Sequence, residues 1–226
     1  MIIDLFLSQP ILGMAWLSAL ILALTVHEFA HAMVGKWRGD ETAEQLGRLT
    51  LNPLAHLDIL GFLMLISVGF GWAKPVPFDP RNLKNPLYDG LLIALAGPGA
   101  NLMFAVTAGL IFRGLFFIQA ASLGTTLGIF LVLLVLLNLF LMIFNLIPIY
   151  PLDGAKVVEV LLIGTRYESI NRWLVLNGGK ILIMAVIISL MTPFDPFSFI
   201  EGPAFSVCNI LLGHSCMSFL SGYFSG

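Results

Sequence analysis

The stretch ILGMAWLSALILALTVHEFAHAMVG, residues 11–35, decides the fold. It carries no charge before Glu28, and a helix needs ~20 mostly apolar residues to cross a hydrocarbon core ~30 Å thick. It therefore reads as a spanning helix. Neither a basic segment nor a cleavage site precedes it, so it is expected to stay in the mature protein rather than leave as a signal peptide. The same helix carries His27, Glu28 and His31, polar side chains that are costly inside a membrane.

The rest of the chain agrees with a bilayer setting. Of its 226 residues 58% are hydrophobic and only 11% charged, with a mean hydropathy of +0.97. That leaves too little polar surface to enclose a water-soluble globule. A net charge of −2 with no basic stripe argues against nucleic acid and against a polybasic lipid-binding patch, leaving the lipid bilayer and membrane segments as partners. The two cysteines, Cys208 and Cys216, exclude a thiolate zinc site of the C-x-x-C kind and any disulfide framework. A single bridge between them is compatible with a tail in an oxidising compartment. His214, beside Cys216, is set aside as a metal site.

Two further stretches reach spanning length, residues 91–112 and about 124–147. A fourth, residues 173–191, is broken by Asn177, Gly178, Gly179 and Lys180, and its apolar half is expected to enter the membrane. Residues 59–72 are different, because about 14 residues at ~1.5 Å each cover only ~21 Å. They read as a re-entrant segment. If this segment does not cross, ten of the eleven Lys and Arg residues fall on one side and Arg113 alone on the other; a crossing would split the set. The positive-inside tendency thus favours a non-crossing hairpin, an N-terminus outside and cytoplasmic loops. The expected fold is an all-α polytopic membrane protein: three core transmembrane helices, a fourth, and the re-entrant segment with small β elements. One membrane-embedded domain is expected over residues 1–192, followed by an irregular, extracytoplasmic tail over 193–226 containing Pro193, Pro196, Gly202 and Pro203.

His27-Glu28-Phe29-Ala30-His31 is an H-E-x-x-H pattern on a helix. Residues four apart stand about 40° apart around the axis and ~6 Å along it, so both imidazoles can reach one ion. Glu28 projects to the side of the pair, where it can take a proton from water activated by zinc. A catalytic zinc site commonly takes a third protein ligand and keeps one position open. Asp153 is the candidate, an acid at the cytoplasmic end of the third span in the non-crossing arrangement. It follows Pro148 and Pro151, which disfavour continuous helix, and unwound backbone at membrane depth is tolerated where it lines a cavity. His27 lies nine residues, ~13 Å, from Lys36 at the boundary, so the site is submerged on the cytoplasmic side.

Taken together, H-E-F-A-H, A-G-P-G-A-N at residues 96–101 and N-L-I-P-I-Y-P-L-D-G at 145–154 resemble the site-2 protease family of intramembrane zinc metalloproteases. The likeness spans roughly residues 15–158. It is greatest to the small bacterial or archaeal subgroup without PDZ or CBS domain, which shares N-P-L-A-H-x-D at 52–58 and G-W-A-K-P-V-P at 71–77. It implies one Zn2+ held by His27, His31 and Asp153, Glu28 as catalytic base, a prokaryotic cell membrane, and a membrane-spanning protein substrate cut after local unwinding. Such substrates include anchored regulators and signal-peptide remnants. Ile59, Ala155 and Lys156 depart from the family pattern, away from the proposed ligands.

The remaining positions stay open. His56 reads either as a residue orienting substrate or the metal shell or as a plain loop histidine. Asn101 and Asn145 read either as donors to substrate or an oxyanion or as interhelical hydrogen-bonding residues. Gly97, Gly99 and Ala100 read as packing positions. Residues 71–77 read as an edge for an extended peptide or as a connector. The competing function is a membrane zinc transporter or metal-dependent sensor, since polar residues inside spans also mark ion pathways; it predicts zinc flux without cleavage.

Overall fold

A computed structural model describes residues 2–118 and 125–219. Among these are nine α-helices: α1 Ile2–Ser8, α2 Pro10–Arg38, α3 Thr42–Gln45, α4 Ile59–Val68, α5 Pro86–Phe117, α6 Thr126–Asn145, α7 Gly154–Leu162, α8 Glu168–Met191 and α9 Glu201–Leu212. Helices α2, α5, α6 and α8 are long and apolar enough to cross a membrane. No sheet occurs among the described residues; the expected β elements reduce to one antiparallel bridge, Leu57 with Ala73. The expected start of the third span at Gly124, and residues 220–226 of the tail, lie outside the described residues.

Helix α6 is apolar on every side and is accordingly the buried centre. From Leu131 to Leu136 no side chain is more than 5% exposed. Around it stand α2, α5 and α9. Small residues let the neighbouring backbones come close: Ala15, Ala19 and Ala23 on α2, Ala105 and Ala108 on α5. Asn85 caps α5, Thr125 caps α6 and Asp58 caps α4 through side-chain oxygens that accept backbone N–H groups. Arg38 donates to Asp89 at 2.6 Å and ties the polar end of α2 to the start of α5.

The α4 segment doubles back on itself. Its entry and exit lie side by side through the Leu57–Ala73 bridge, and Lys74 N donates to His56 O at 2.8 Å. Gly61 and Gly71 permit the return, because a Cβ on either would run into backbone of the opposite arm. Helix α8 packs lightly. Its one buried residue is Gly178, which lies against the backbone of Tyr150.

The tail corrects the expectation of irregular structure. Residues 201–212 form α9, which buries Ala204, Cys208 and Leu212. It starts beside Phe144 and Phe140, whose rings lie 5.6 Å from Phe197 and 6.0 Å from Phe205. It ends beside Arg113, which donates to Ile210 O at 2.7 Å. Pro193 and Pro196 fall between α8 and α9, and Pro203 occupies the first turn of α9, where no backbone N–H is needed. These prolines mark boundaries. Cys208 and Cys216 form a disulfide.

Candidate metal centre

Three side chains from two distant segments converge. Helix α2 supplies His27 and His31 from successive turns, their rings 4.6 Å apart and nearly perpendicular. The chain leaving α6 turns through residues 146–153 and presents Asp153 at the start of α7. Asp153 Oδ2 lies 3.2 Å from His27 Nε2 and 3.5 Å from His31 Nε2, and the two Nε2 atoms are 3.0 Å apart. All three potential ligand atoms fit within 4.8 Å of one another.

The protonation pattern says what belongs among them. His27 Nδ1 lies 2.6 Å from Asn101 Oδ1, and His31 Nδ1 lies 2.7 Å from Ile93 O. Both partners are acceptors, so each Nδ1 donates, and in its neutral form each ring turns an Nε2 lone pair inward. Two lone pairs and a carboxylate oxygen therefore face one another, and the buried Asp153 Oδ2 has no hydrogen-bond donor. Three converging acceptors repel unless a cation sits among them. The donor set, two imidazole nitrogens and one carboxylate oxygen, suits zinc. The cradle has no spare volume on its α5 side: Gly97 lies against both imidazoles, and a Cβ there would come 2.6 Å from His27 Cε1 and closer to His31 Nε2.

The outer contacts fix both rings. Asn101 is fully buried; its Nδ2 donates to Asn138 Oδ1 at 2.7 Å and to Ala23 O at 3.1 Å, so its Oδ1 is left to accept from His27. Asn138 in turn donates to Leu134 O at 2.7 Å. This chain joins α2, α5 and α6 at the depth of the site. Pro98 lacks the N–H that Ala94 O would receive, and in the same turn Ile93 O serves His31.

Glu28, 8% exposed, accepts at Oε2 from Val76 N, 3.1 Å away. Among the described residues no other hydrogen bond reaches this carboxylate. Val76 belongs to the chain returning from α4, outside any strand, where Pro75 and Pro77 bias Lys74 and Val76 toward extended backbone.

Of the other candidates, Asn101 meets the histidine cluster and two do not. His56 is buried in its loop, where Nε2 pairs with Thr50 O at 2.8 Å. Asn145 turns back on its own helix and donates to Leu141 O at 3.0 Å. Gly99 has no neighbour within 4 Å of a would-be Cβ and so makes no packing contact. The sulfur of Cys216 is taken up in the disulfide, and His214 meets Phe116 edge-on with ring centroids 4.8 Å apart. Three contributors lay beyond sequence reasoning: Asn138, Ile93 O and Val76 N. Only Asn138 left a trace, as an isolated amide in the otherwise apolar middle of α6.

A family model described as Peptidase family M50 matches residues 111–189. The Bacillus subtilis (strain 168) protein named "Putative zinc metalloprotease YwhC" is 35% identical over 222 residues, covering 84% of this chain and 99% of that protein. The same wording names Rip2 of Mycolicibacterium smegmatis, 33% identical over 145 residues, 62% of this chain and 54% of that protein. No solved structure matches. With four apolar helices of spanning length, a cluster of acceptors suited to zinc and a relative matched over nearly its whole length, this chain belongs to peptidase family M50 and is a zinc metalloprotease of the site-2 protease type.

Proposed function

We propose that the protein is an intramembrane endopeptidase that hydrolyses peptide bonds in or near transmembrane segments of membrane-anchored proteins, with His27, His31 and Asp153 holding zinc and Glu28 as catalytic base. The observation that carries this reading is the convergence of two imidazole nitrogens and the unpartnered Asp153 Oδ2, with Glu28 in the same helical turn, within a bundle of apolar helices. Zinc, when bound, supplies Lewis acidity toward the scissile carbonyl and lowers the pKa of water toward about 7. Glu28 takes the proton of the attacking water at Oε1 and delivers it to the departing amide nitrogen. Asn101 and Ile93 O hold the imidazoles in the tautomer that keeps both Nε2 atoms free for the metal.

An apolar substrate has a route to this centre. A cavity of about 300 Å³ lies between α2, the α4 hairpin and α6, lined by side chains that include Trp16, Leu20, Leu24, Phe62 and Phe140. Leu24 is four residues before Glu28, so the cavity reaches to about one helical turn from the base. The orientation proposed is N-terminus outside and active site toward the cytoplasm of a prokaryotic cell. Its support is the lone Arg113 near the far end of α5, with the other ten basic residues in the intervening loops or at the opposite helix ends except Lys180, which lies midway along α8. The disulfide end of α9, also at Arg113, agrees with an oxidising exterior.

The test is cleavage of a single-span model substrate in detergent or vesicles, with fragments identified by mass spectrometry. Glu28→Gln is expected to abolish cleavage while the protein keeps one zinc per chain. Undiminished cleavage by that variant removes the mechanism.

A further inference from the structure

The return arm of the α4 hairpin contains Lys74-Pro75-Val76-Pro77-Phe78-Asp79. In extended chain alternate N–H groups point to opposite edges. Residues 74 and 76 therefore face one edge, while 75 and 77 face the other and, being prolines, have no N–H to offer. The inner edge is fully used: Lys74 N donates to His56 O at 2.8 Å, and Val76 N donates to Glu28 Oε2 at 3.1 Å. A slip of one residue in either direction would bring a proline opposite Glu28 and leave its carboxylate without a donor.

Both sides of Val76 are clamped by buried polar side chains from the preceding loop. Arg48, 6% exposed, donates through Nη2 to Lys74 O at 2.5 Å. Asp40, 1% exposed, accepts from Asp79 N at 2.8 Å. Burying a guanidinium and a carboxylate in a loop is costly unless they are hydrogen-bonded, and their partners include the backbone flanking Val76. The arm is thus held in register by groups with no contact to the metal ligands.

We propose that this arm is a positioning element for the catalytic base: the Val76 N–H fixes Oε2 of Glu28 so that Oε1 is left for the proton of the attacking water. The inference rests on the reading of Glu28 as base. Val76 is a positioning residue through its backbone, and Arg48 and Asp40 act through it. The outer edge, with no donor at Pro75 or Pro77, can only accept, so an extended substrate laid there cannot form a full ladder.

Two measurements on the zinc-loaded full chain test this. Because both neighbours are prolines, Val76 has the one exchangeable amide in residues 75–77, and hydrogen exchange of that segment reports this bond alone. Exchange in the parent is expected to be at least tenfold slower than in Glu28→Ala; equal rates overturn the proposal. Replacing the Pro75–Val76 amide by an ester removes the N–H and keeps the side chain, with Val76→Pro as a second route. Cleavage of a quenched-fluorescent single-span peptide should then show kcat about tenfold lower, KM within twofold and one zinc still bound. An unchanged kcat overturns the proposal, as does a raised kcat, which would make the contact an inhibitory cap. A rise in KM alone also overturns it, because the arm would then be a substrate edge. Glu28→Gln in the same assay separates the two ideas: full activity there sinks the base assignment, whatever the exchange experiment returns.

Discussion

Replacing Asn101 by Leu separates metal binding from helix assembly. The side chain is fully buried and makes three hydrogen bonds: one accepted from His27 and two donated, to Asn138 and Ala23 O. Interhelical hydrogen bonds inside a membrane average ~0.6 kcal/mol, so losing three should destabilise the bundle by about 2 kcal/mol. The effect on zinc has a different origin. Without Asn101 Oδ1 the His27 ring loses the partner that fixes its tautomer and orientation, and such outer contacts are typically worth ~10–100-fold in metal affinity, or roughly 1.4–2.8 kcal/mol. Competition titration of the metal-stripped variant against a chelator of known affinity reads this directly, while denaturant unfolding in detergent reads the stability. Asn101→Asp keeps an acceptor for His27 and gives up both donated bonds, so zinc affinity should stay within about tenfold while stability falls. If Asn101→Leu folds and binds zinc within twofold of the parent, the argued role of Asn101 is wrong.

Three further outcomes follow from other contacts. Gly97→Ala places a methyl group against both imidazoles; the expected result is loss of stoichiometric zinc and of cleavage at a stability cost of about 1–3 kcal/mol, checked by metal analysis alongside circular dichroism. Replacing Cys208 and Cys216 together by Ser removes a bridge between residues eight apart, which should cost about 2–3 kcal/mol in unfolding experiments and leave zinc content unchanged. Asp40 gives the pH dependence. Burial alone would raise its carboxyl, but hydrogen bonds from Asn82, Thr42 and the Asp79 N–H hold it below the ordinary 3.8. The unfolded chain therefore binds more protons as pH falls from about 4, and the stability Asp40 contributes is lost below that value as the folded carboxyl titrates. Limited proteolysis of residues 72–82 between pH 6 and pH 2.5 should show this loosening, and Asp40→Asn should reduce its pH dependence, the remainder coming from Asp79, whose carboxyl the hydrogen bonds from Arg81 hold low.

Much of this was legible because membrane helices and helical ligand spacing are local properties. The run before His27 is long enough to cross and residues 59–72 are too short, two facts that depend only on rise per residue. From them followed the parity that puts Asp153 on the same side as His31, and the structure brings these residues together. What escaped is tertiary or carried by backbone. Ile93 O and Val76 N belong to groups every residue has, so no side chain announces them. His56 and Asn145 look like functional residues by type, yet each is taken up by a nearby carbonyl. The α9 helix was hidden by Gly202 and Pro203, residues that disfavour a helix interior but are tolerated in a first turn.

The place of α9 also bears on how the protein is made. Phe112 on α5 is fully buried, and one of its covers is Phe219, whose ring lies 5.5 Å away. As synthesis proceeds from the N-terminus, the residues that cover this face come after all four long helices. Until they emerge and pack, that side of α5 and α6 lacks its cover. A chain ending near residue 192 would therefore carry all three proposed metal ligands in a bundle still open along one wall.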